Sequence, residues 1–156
     1  MSRVAAPVRS CADAGVRTGM SYLKWNMVYS VYNEEIDGQH QRLFALVNDL
    51  HDAMQAGRVT GLGDTIDALV AYTEYHFKTE EGLLQACRYP DYDVHKEMHD
   101  SLTRRARGMQ EAYASGNMPT AVEVLLLLAN WLNRHVLDED RKYKPCIHQT
   151  GQGTSS

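Results

Sequence analysis

The amino-acid sequence predicts an all-α protein, an up-down-up-down four-helix bundle. Apolar residues recur at intervals of three and four in four segments, which is the spacing of one helical face. Short breakers containing Gly or Pro separate these segments, and no segment alternates apolar and polar residues as a strand would. Because the connections are short, consecutive helices are expected to lie antiparallel.

The four predicted helices have recognisable start and stop signals. Asp37 is a favourable N-cap, the pair Tyr89-Pro90 stops the second helix, and Pro119 suits the first turn of the fourth. The helices are predicted from Asp37 to Gln55, from about Asp64 to Cys87, from near Asp91 to Gly116, and from Pro119 towards Tyr143.

Composition predicts one globular domain and excludes several partners. The chain has 156 residues, of which 44% are hydrophobic, enough for one sizeable core. A net charge of -4 and a pI of about 5.9 give no reason to expect nucleic acid or an anionic membrane. The longest apolar run, residues 124–129, is too short to span a bilayer.

The cysteines and the chain ends set further expectations. Cys11, Cys87 and Cys146 are odd in number and lack CxxC spacing, so neither a disulfide framework nor a zinc ribbon is predicted. This predicts a reducing compartment, the cytoplasm. Residues 1–19 lack the apolar stretch of a secretory signal. They are interpreted as a disordered arm, or as upstream sequence if translation starts at Met20. The folded domain is predicted at 20–146, with a disordered tail at 147–156.

Histidines are the main functional signal. His76 and Glu80 are four residues apart, on the apolar face of the second predicted helix. A single buried histidine is usually satisfied by a backbone carbonyl, so this pair alone is weak evidence. In an antiparallel bundle, however, the starts of odd helices and the ends of even helices meet at one end of the molecule. That rule leaves out His51 and His148. It puts five histidines in one layer: His40, His76, His95, His99 and His135.

The metal chemistry follows from the types of ligand. In "HKEMH", Glu97 points about 200° away from His95, which disfavours a zinc-protease site. The Glu-x-x-His pairs of ferritin-like di-iron proteins do not occur in the sequence. Five imidazoles and at least two carboxylates exceed what tetrahedral zinc uses. They favour two metals of higher coordination, and iron suits these ligands.

Four motifs together resemble the hemerythrin family, specifically its bacterial single-domain members: "IDGQHQRLF" (36–44), "HFKTEE" (76–81), "YPDYDVHKEMH" (89–99) and "WLNRHVLDEDRKY" (131–143). The resemblance covers about residues 22–145. It implies that His95, His99 and His135 bind one iron and that His40 and His76 bind the other. It also implies Glu80 and Asp140 as bridging carboxylates, and an oxo or hydroxo bridge between two non-haem irons.

Asp140 is the ligand that helix geometry does not select. Five residues after His135, it lies about 140° round a regular helix, and the resemblance supports it over Asp138 and Glu139. Either the helix loosens locally, as in a π-type bulge, or the side chain reaches back. Counting ligands for two six-coordinate irons leaves one place, on the iron with two histidines. The resemblance implies that dioxygen binds there reversibly, as a hydroperoxide.

The pocket around that place is predicted to be apolar. Its expected walls are residues near the ligand histidines, although these would also serve as ordinary core: Leu43, Phe44, Phe77, Trp131 and Leu132. Trp25 is expected to pack the N-terminal arm on the bundle. Tyr143 is expected to support the core or the site.

The first interpretation is a dioxygen-binding protein for storage, transport or delivery, not an enzyme. An unidentified oxygen-consuming enzyme would then be a partner. The alternatives are a sensor of oxygen or redox state and a reductase of peroxide or nitric oxide at the same centre. The sequence shows no attached signalling domain and no additional acid, base or nucleophile at the site.

Overall fold

The computed structural model describes residues 20–117 and 120–149, which are mainly helical and contain no strand. The all-α prediction is confirmed. The helices are α1 (Glu34–Gln55), α2 (Leu62–Ala86), α3 (Tyr92–Ala114), α4 (Thr120–His135) and α5 (Arg141–Gln149), with a π-helical turn (Val136–Asp140) joining α4 to α5.

The first four helices form the predicted up-down-up-down bundle. Each helix contacts its neighbours in sequence, and α4 closes the bundle against α1. The turns are tight because Gly57 and Gly116 adopt positive φ angles of 64° and 84° just beyond α1 and α3. Glycine has no Cβ to oppose that conformation, so each helix can end sharply and the chain can reverse.

The start of α1 differs from the prediction. Asn33 caps the helix, and its side chain accepts a hydrogen bond from the Ile36 N–H at 3.0 Å. Asp37 lies inside the first turn, so its assignment as N-cap was wrong. Its carboxylate instead accepts hydrogen bonds from the Ser30 hydroxyl at 2.5 Å and the Val31 N–H at 2.8 Å. Asn and Asp both favour the N-cap position. The Asp37 carboxylate, however, is already engaged by Ser30 and Val31 of the preceding turn.

The C-terminal boundary also differs. The predicted disordered tail began at residue 147, but residues 147–149 form the last turn of α5. Ile147 packs against buried apolar residues, and His148 Nε2 lies 3.0 Å from the carbonyl oxygen of Val31, which holds this turn on the bundle. The remaining predicted tail, the predicted arm at 1–19 and Pro119 lie outside the described residues.

The interior contains two apolar clusters separated by a polar layer. The large cluster occupies most of the bundle and includes Leu43 and Leu69. The end cluster consists of Val31, Ile36, Leu84, Tyr89 and Tyr143. In α1, Ile36 of the end cluster precedes His40 by one turn, and Leu43 of the large cluster follows it by one turn. The histidine layer therefore lies between two dry regions.

Side-chain contacts attach the segment before α1 to the bundle. The Asn48 side chain accepts from the Leu23 N–H and donates to the Leu23 carbonyl, both at 2.8 Å. The Trp25 ring lies 5.6 Å from the Phe44 and Tyr29 rings, centroid to centroid. Trp25 therefore packs the segment directly before α1 on the bundle.

Cys87 and Cys146 form a disulfide between the end of α2 and α5. The sequence indicated no disulfide, and that expectation was wrong, because the fold brings these residues, 59 apart in sequence, to a Cα–Cα distance of 5.6 Å. Disulfides persist mainly in oxidising environments, so the pairing removes the reason for expecting a reducing compartment.

Among residues 20–117 and 120–149, no helix combines the length and the apolar character needed to cross a membrane.

The disulfide leads to a prediction about stability. Cys146→Ser should lower the free energy of unfolding by about 2–4 kcal/mol, because the bond closes a long loop in the unfolded chain. Denaturant titration of both proteins without reductant measures the loss. Reductant should bring the parent to the midpoint of the variant and leave the variant unchanged. Equal midpoints without reductant would contradict the prediction.

Candidate metal centre

The five histidines and two acids predicted from the sequence meet in one buried layer. His40 lies early in α1, His76 and Glu80 late in α2, and His95 and His99 early in α3. Each is at most 5% exposed, and Glu80 and Asp140 are fully buried. The remaining two members, His135 and Asp140, lie at the end of α4 and in the π-helical turn.

The imidazole rings direct their Nε2 atoms at one another. The Nε2 atoms of His40 and His76 are 3.1 Å apart. The other three histidines form a second group, in which His135 Nε2 lies 3.1 Å from His99 Nε2 and 3.3 Å from His95 Nε2. Adjacent donor atoms around an octahedral metal with bonds of about 2.1 Å are about 3 Å apart. The observed spacings therefore fit nitrogens that share a metal ion.

The two carboxylates lie between the histidine groups. Glu80 Oε2 is 3.0 Å from His99 Nε2 and 3.3 Å from His95 Nε2. Asp140 presents one oxygen to each side, with Oδ2 3.2 Å from His40 Nε2 and Oδ1 3.1 Å from His135 Nε2. Asp140 thus occupies a position from which a carboxylate can bridge two metals.

The donor atoms form two groups that could each hold a metal ion, within 4.8 Å in each group. One contains Glu80 with His95, His99 and His135. The other contains Glu80 with His40, His76 and Asp140. Glu80 belongs to both groups. Asp140 also lies close to the first group, because its Oδ1 is 3.1 Å from His135 Nε2.

Unpaired polar atoms support a metal in this layer. Asp140 is fully buried, yet neither of its oxygens takes part in a hydrogen bond of acceptable geometry with the described residues. The imidazoles that approach it at 3.1–3.5 Å are therefore close without being aligned as donors. Leaving an ionised carboxylate buried without a partner is costly, and a cation between these atoms would remove that cost.

The π-helical turn explains the position of Asp140. Backbone hydrogen bonds in a π-helix join residues five apart, so side chains at that spacing fall on one side. Of the two geometries that the sequence left open, the structure shows the local loosening of the helix, at residues 136–140. The turn brings the carboxylate of Asp140 into the layer that contains His135.

Burial lowers the pKa values of His76 and His99 in this layer, whereas the neighbouring carboxylates raise them. Burial lowers the pKa of His76 to about 3, with a further contribution from His40. Burial also opposes protonation of His99, but hydrogen bonds with Glu80 and Glu81 outweigh it and raise its pKa to about 9. For Asp140, neighbouring imidazoles outweigh burial and lower the carboxyl pKa to about 2. The carboxylates therefore remain ionised at neutral pH.

Three further side chains hold members of this layer. The Tyr143 hydroxyl donates to Glu80 Oε1, which agrees with the supporting role expected for Tyr143. Glu81 and Gln39, which the sequence reasoning missed, contact the outer Nδ1 atoms of His99 and His76. Both are adjacent in sequence to predicted ligands, and that adjacency was the only available signal.

Beside the layer, the large cluster encloses a cavity of about 10 Å³. Leu43, Phe77, Trp131 and Leu132 line it, as predicted for the pocket. Phe44 does not line this cavity and packs on Trp25 and Tyr29 instead. The volume is about the minimum that one water molecule needs, and the walls are almost entirely apolar.

Three groups that the sequence placed outside the site do lie outside it. His51 stacks on Tyr22 with ring centroids 4.7 Å apart, and His148 contacts the Val31 carbonyl. Glu97 points outwards, where its side chain is 67% exposed and pairs with Arg104.

Comparisons with known proteins identify similar chains. The model of the Hemerythrin HHE cation binding domain matches residues 31–147. A bacteriohemerythrin of Methylococcus capsulatus is 33% identical over 71% of this chain and 85% of its own length. A bacteriohemerythrin of Pseudomonas aeruginosa is 30% identical over 84% of this chain and 85% of its own. A crystal structure of wild-type hemerythrin superposes with a TM-score of 0.76 at 30% identity, covering 81% of this chain and 98% of that one.

Proposed function

This chain belongs to the hemerythrin family, and on that premise we propose that it binds dioxygen reversibly at a non-haem di-iron centre. The role would be oxygen storage, transport or delivery. The observation that carries the proposal is the convergence of two four-residue donor groups that share Glu80 in a fully buried layer.

In this proposal each histidine group holds one iron. His95, His99 and His135 would hold the first, and His40 and His76 would hold the second. Glu80 and Asp140 would be shared by both irons, together with an oxo or hydroxo group. The second iron would have fewer protein ligands, so dioxygen would bind on the side of His40 and His76.

The bound irons would supply two electrons to dioxygen and recover them on its release. The protein contributes a fixed donor set and a dry surrounding. Two buried carboxylates neutralise part of the metal charge, which lowers the cost of holding two divalent cations in an apolar bundle. The hydrogen bond from Tyr143 keeps Glu80 in place without adding charge.

The cavity wall favours a carrier over a reductase. Thr73 carries the only hydroxyl among the described residues that line the cavity, and this hydroxyl donates to the Leu69 carbonyl at 2.8 Å. A reductase of peroxide would benefit from a group that delivers protons to the reacting oxygen. An apolar wall instead keeps water and anions away from the open position.

The direct test of reversible binding is spectroscopic. The optical spectrum of the reduced protein should change on exposure to air and return under vacuum, over repeated cycles. A spectrum that changes once and does not return would contradict reversible binding. Sustained turnover of peroxide with excess reductant would favour the enzyme.

Metal content tests the donor set. We predict two irons per chain in the parent, and loss of iron in His95→Ala and Glu80→Ala because each removes a donor from the buried layer. His51→Ala and His148→Ala are matched controls that remove histidines outside the layer, and both should retain two irons. Iron analysis of the purified proteins decides the question. One iron in the parent, or loss on removing His51, would refute the assignment.

Leu132 tests the protective role of the wall. It is 5% exposed, lines the cavity and lies one turn before His135. Leu132→Ala should retain both irons but shorten the lifetime of the oxygenated protein, because the wider cavity admits water. Loss of packing should also cost about 2–5 kcal/mol of stability. The decay of the oxygenated absorption band at fixed pH and temperature measures the effect.

Leu125→Ala provides the control for Leu132→Ala. Leu125 is also 5% exposed and lies in α4, but about 15 Å along the helix from His135. It should lose comparable stability without changing the decay rate. If both variants decay equally fast, general loosening of the bundle explains the effect and Leu132 has no special role.

A further inference from the structure

The two histidine groups differ in what their outer nitrogens contact. His99 Nδ1 lies 3.0 Å from Oε1 of Glu81, a carboxylate. His76 Nδ1 lies 3.0 Å from Oε1 of Gln39, an amide. The distances are equal, but only the first partner carries charge. The group of His95, His99 and His135 therefore has a negative charge behind one member, whereas the group of His40 and His76 has a neutral dipole.

The contact with Glu81 fixes the ring of His99. A carboxylate can only accept, so the hydrogen in this bond lies on His99 Nδ1. Nε2 then faces the layer, 3.0 Å from Glu80 Oε2 and 3.1 Å from His135 Nε2. The ring is also stacked on Phe77 with centroids 3.8 Å apart. Both the orientation and the tautomer of His99 are thus set from outside the layer.

Charged neighbours hold Glu81 in its position. Its second oxygen lies 3.8 Å from Lys96 Nζ, and Lys96 in turn pairs with Asp100 at 2.7 Å. The Glu81 side chain is only 18% exposed, so water screens its charge incompletely. These contacts restrain the carboxylate at the edge of the layer, directly behind His99.

We propose that Glu81 is a positioning residue that orients His99 and, through its charge, favours the ferric state of the iron held by His95, His99 and His135. The inference rests on the proposed function. Gln39 orients His76 in the same way without charge, so the two iron positions are electrostatically unequal. A negative partner stabilises the more positive ion and increases the basicity of the imidazole.

The consequence concerns oxygen affinity. In the proposed function, the two ferrous ions would supply one electron each to dioxygen and recover them on its release. A partner that favours the ferric state would therefore strengthen binding and slow release. Glu81 would set the oxygen affinity without touching either metal or dioxygen.

The test begins with Glu81→Gln, which keeps an oxygen acceptor for His99 but removes the charge. Two irons should be retained, the reduction potential should become more positive, and the oxygen pressure at half saturation should rise about tenfold. Glu81→Ala also removes the acceptor. Its affinity for ferrous iron, measured by competition with a chelator, should fall about 10- to 100-fold.

Gln39→Glu is the reciprocal variant. It places a carboxylate behind His76, so the reduction potential should move in the negative direction. Glu97→Gln is the charge control, because it removes an exposed carboxylate from α3 that pairs only with Arg104 in the described structure. It should leave the potential, iron affinity and half-saturation pressure unchanged.

The outcomes separate this inference from the proposed function. If the parent binds two irons and oxygen reversibly but Glu81→Gln has an unchanged potential, the role of Glu81 is refuted and the function stands. An equal shift in Glu97→Gln also refutes it, because net charge then explains the effect. If the parent binds two irons but not oxygen reversibly, the function fails, and the potential and iron-affinity measurements still decide the role of Glu81.

Discussion

The structure depends on the cost of burying two carboxylates in one layer of a small helical bundle. Glu80 and Asp140 are fully buried, and both oxygens of Asp140 lack a hydrogen bond within the described residues. Ionised groups in such surroundings need compensating positive charge, and the convergent imidazoles can supply it by protonation or by holding cations. Five Nε2 atoms that face one another at about 3 Å suit the second arrangement. The polar layer therefore has the ligands and the spacing of a site that could hold metal ions inside the core.

The apolar regions on both sides make this layer effective. The large cluster surrounds the cavity beside the layer with apolar side chains, and the end cluster covers the opposite side with Tyr143. Low polarity strengthens every charge interaction inside the layer, which is the physical basis of the role proposed for Glu81 at its edge. In the proposed function, the same low polarity would exclude the water and anions that compete for an open coordination position. Retention of metal and protection of a bound gas would then have one physical origin.

The end of the bundle secures the segment that carries the last two members of the layer. His135 ends α4, Asp140 ends the π-helical turn, and Tyr143 lies in α5. The Cys87–Cys146 disulfide ties α5 to the end of α2, which carries Glu80. One covalent bond and one hydrogen bond therefore connect the two segments that provide the carboxylates. This arrangement restrains the distance between Glu80 and Asp140 across the layer.

The sequence by itself determined the bundle and the layer. Helical periodicity places His76 beside Glu80 and His95 beside His99, and antiparallel topology then brings these pairs to the same end as His40 and His135. The tertiary structure alone decided which features meet across the fold. For Asp140 the sequence left two local geometries open, and the structure shows the π-helical turn. The bond between Cys87 and Cys146 and the contacts of Glu81 and Gln39 with their histidines depend on distances between elements. Local spacing contains no information about such distances. They are set when apolar faces pack, because packing fixes which residues remote in sequence become neighbours.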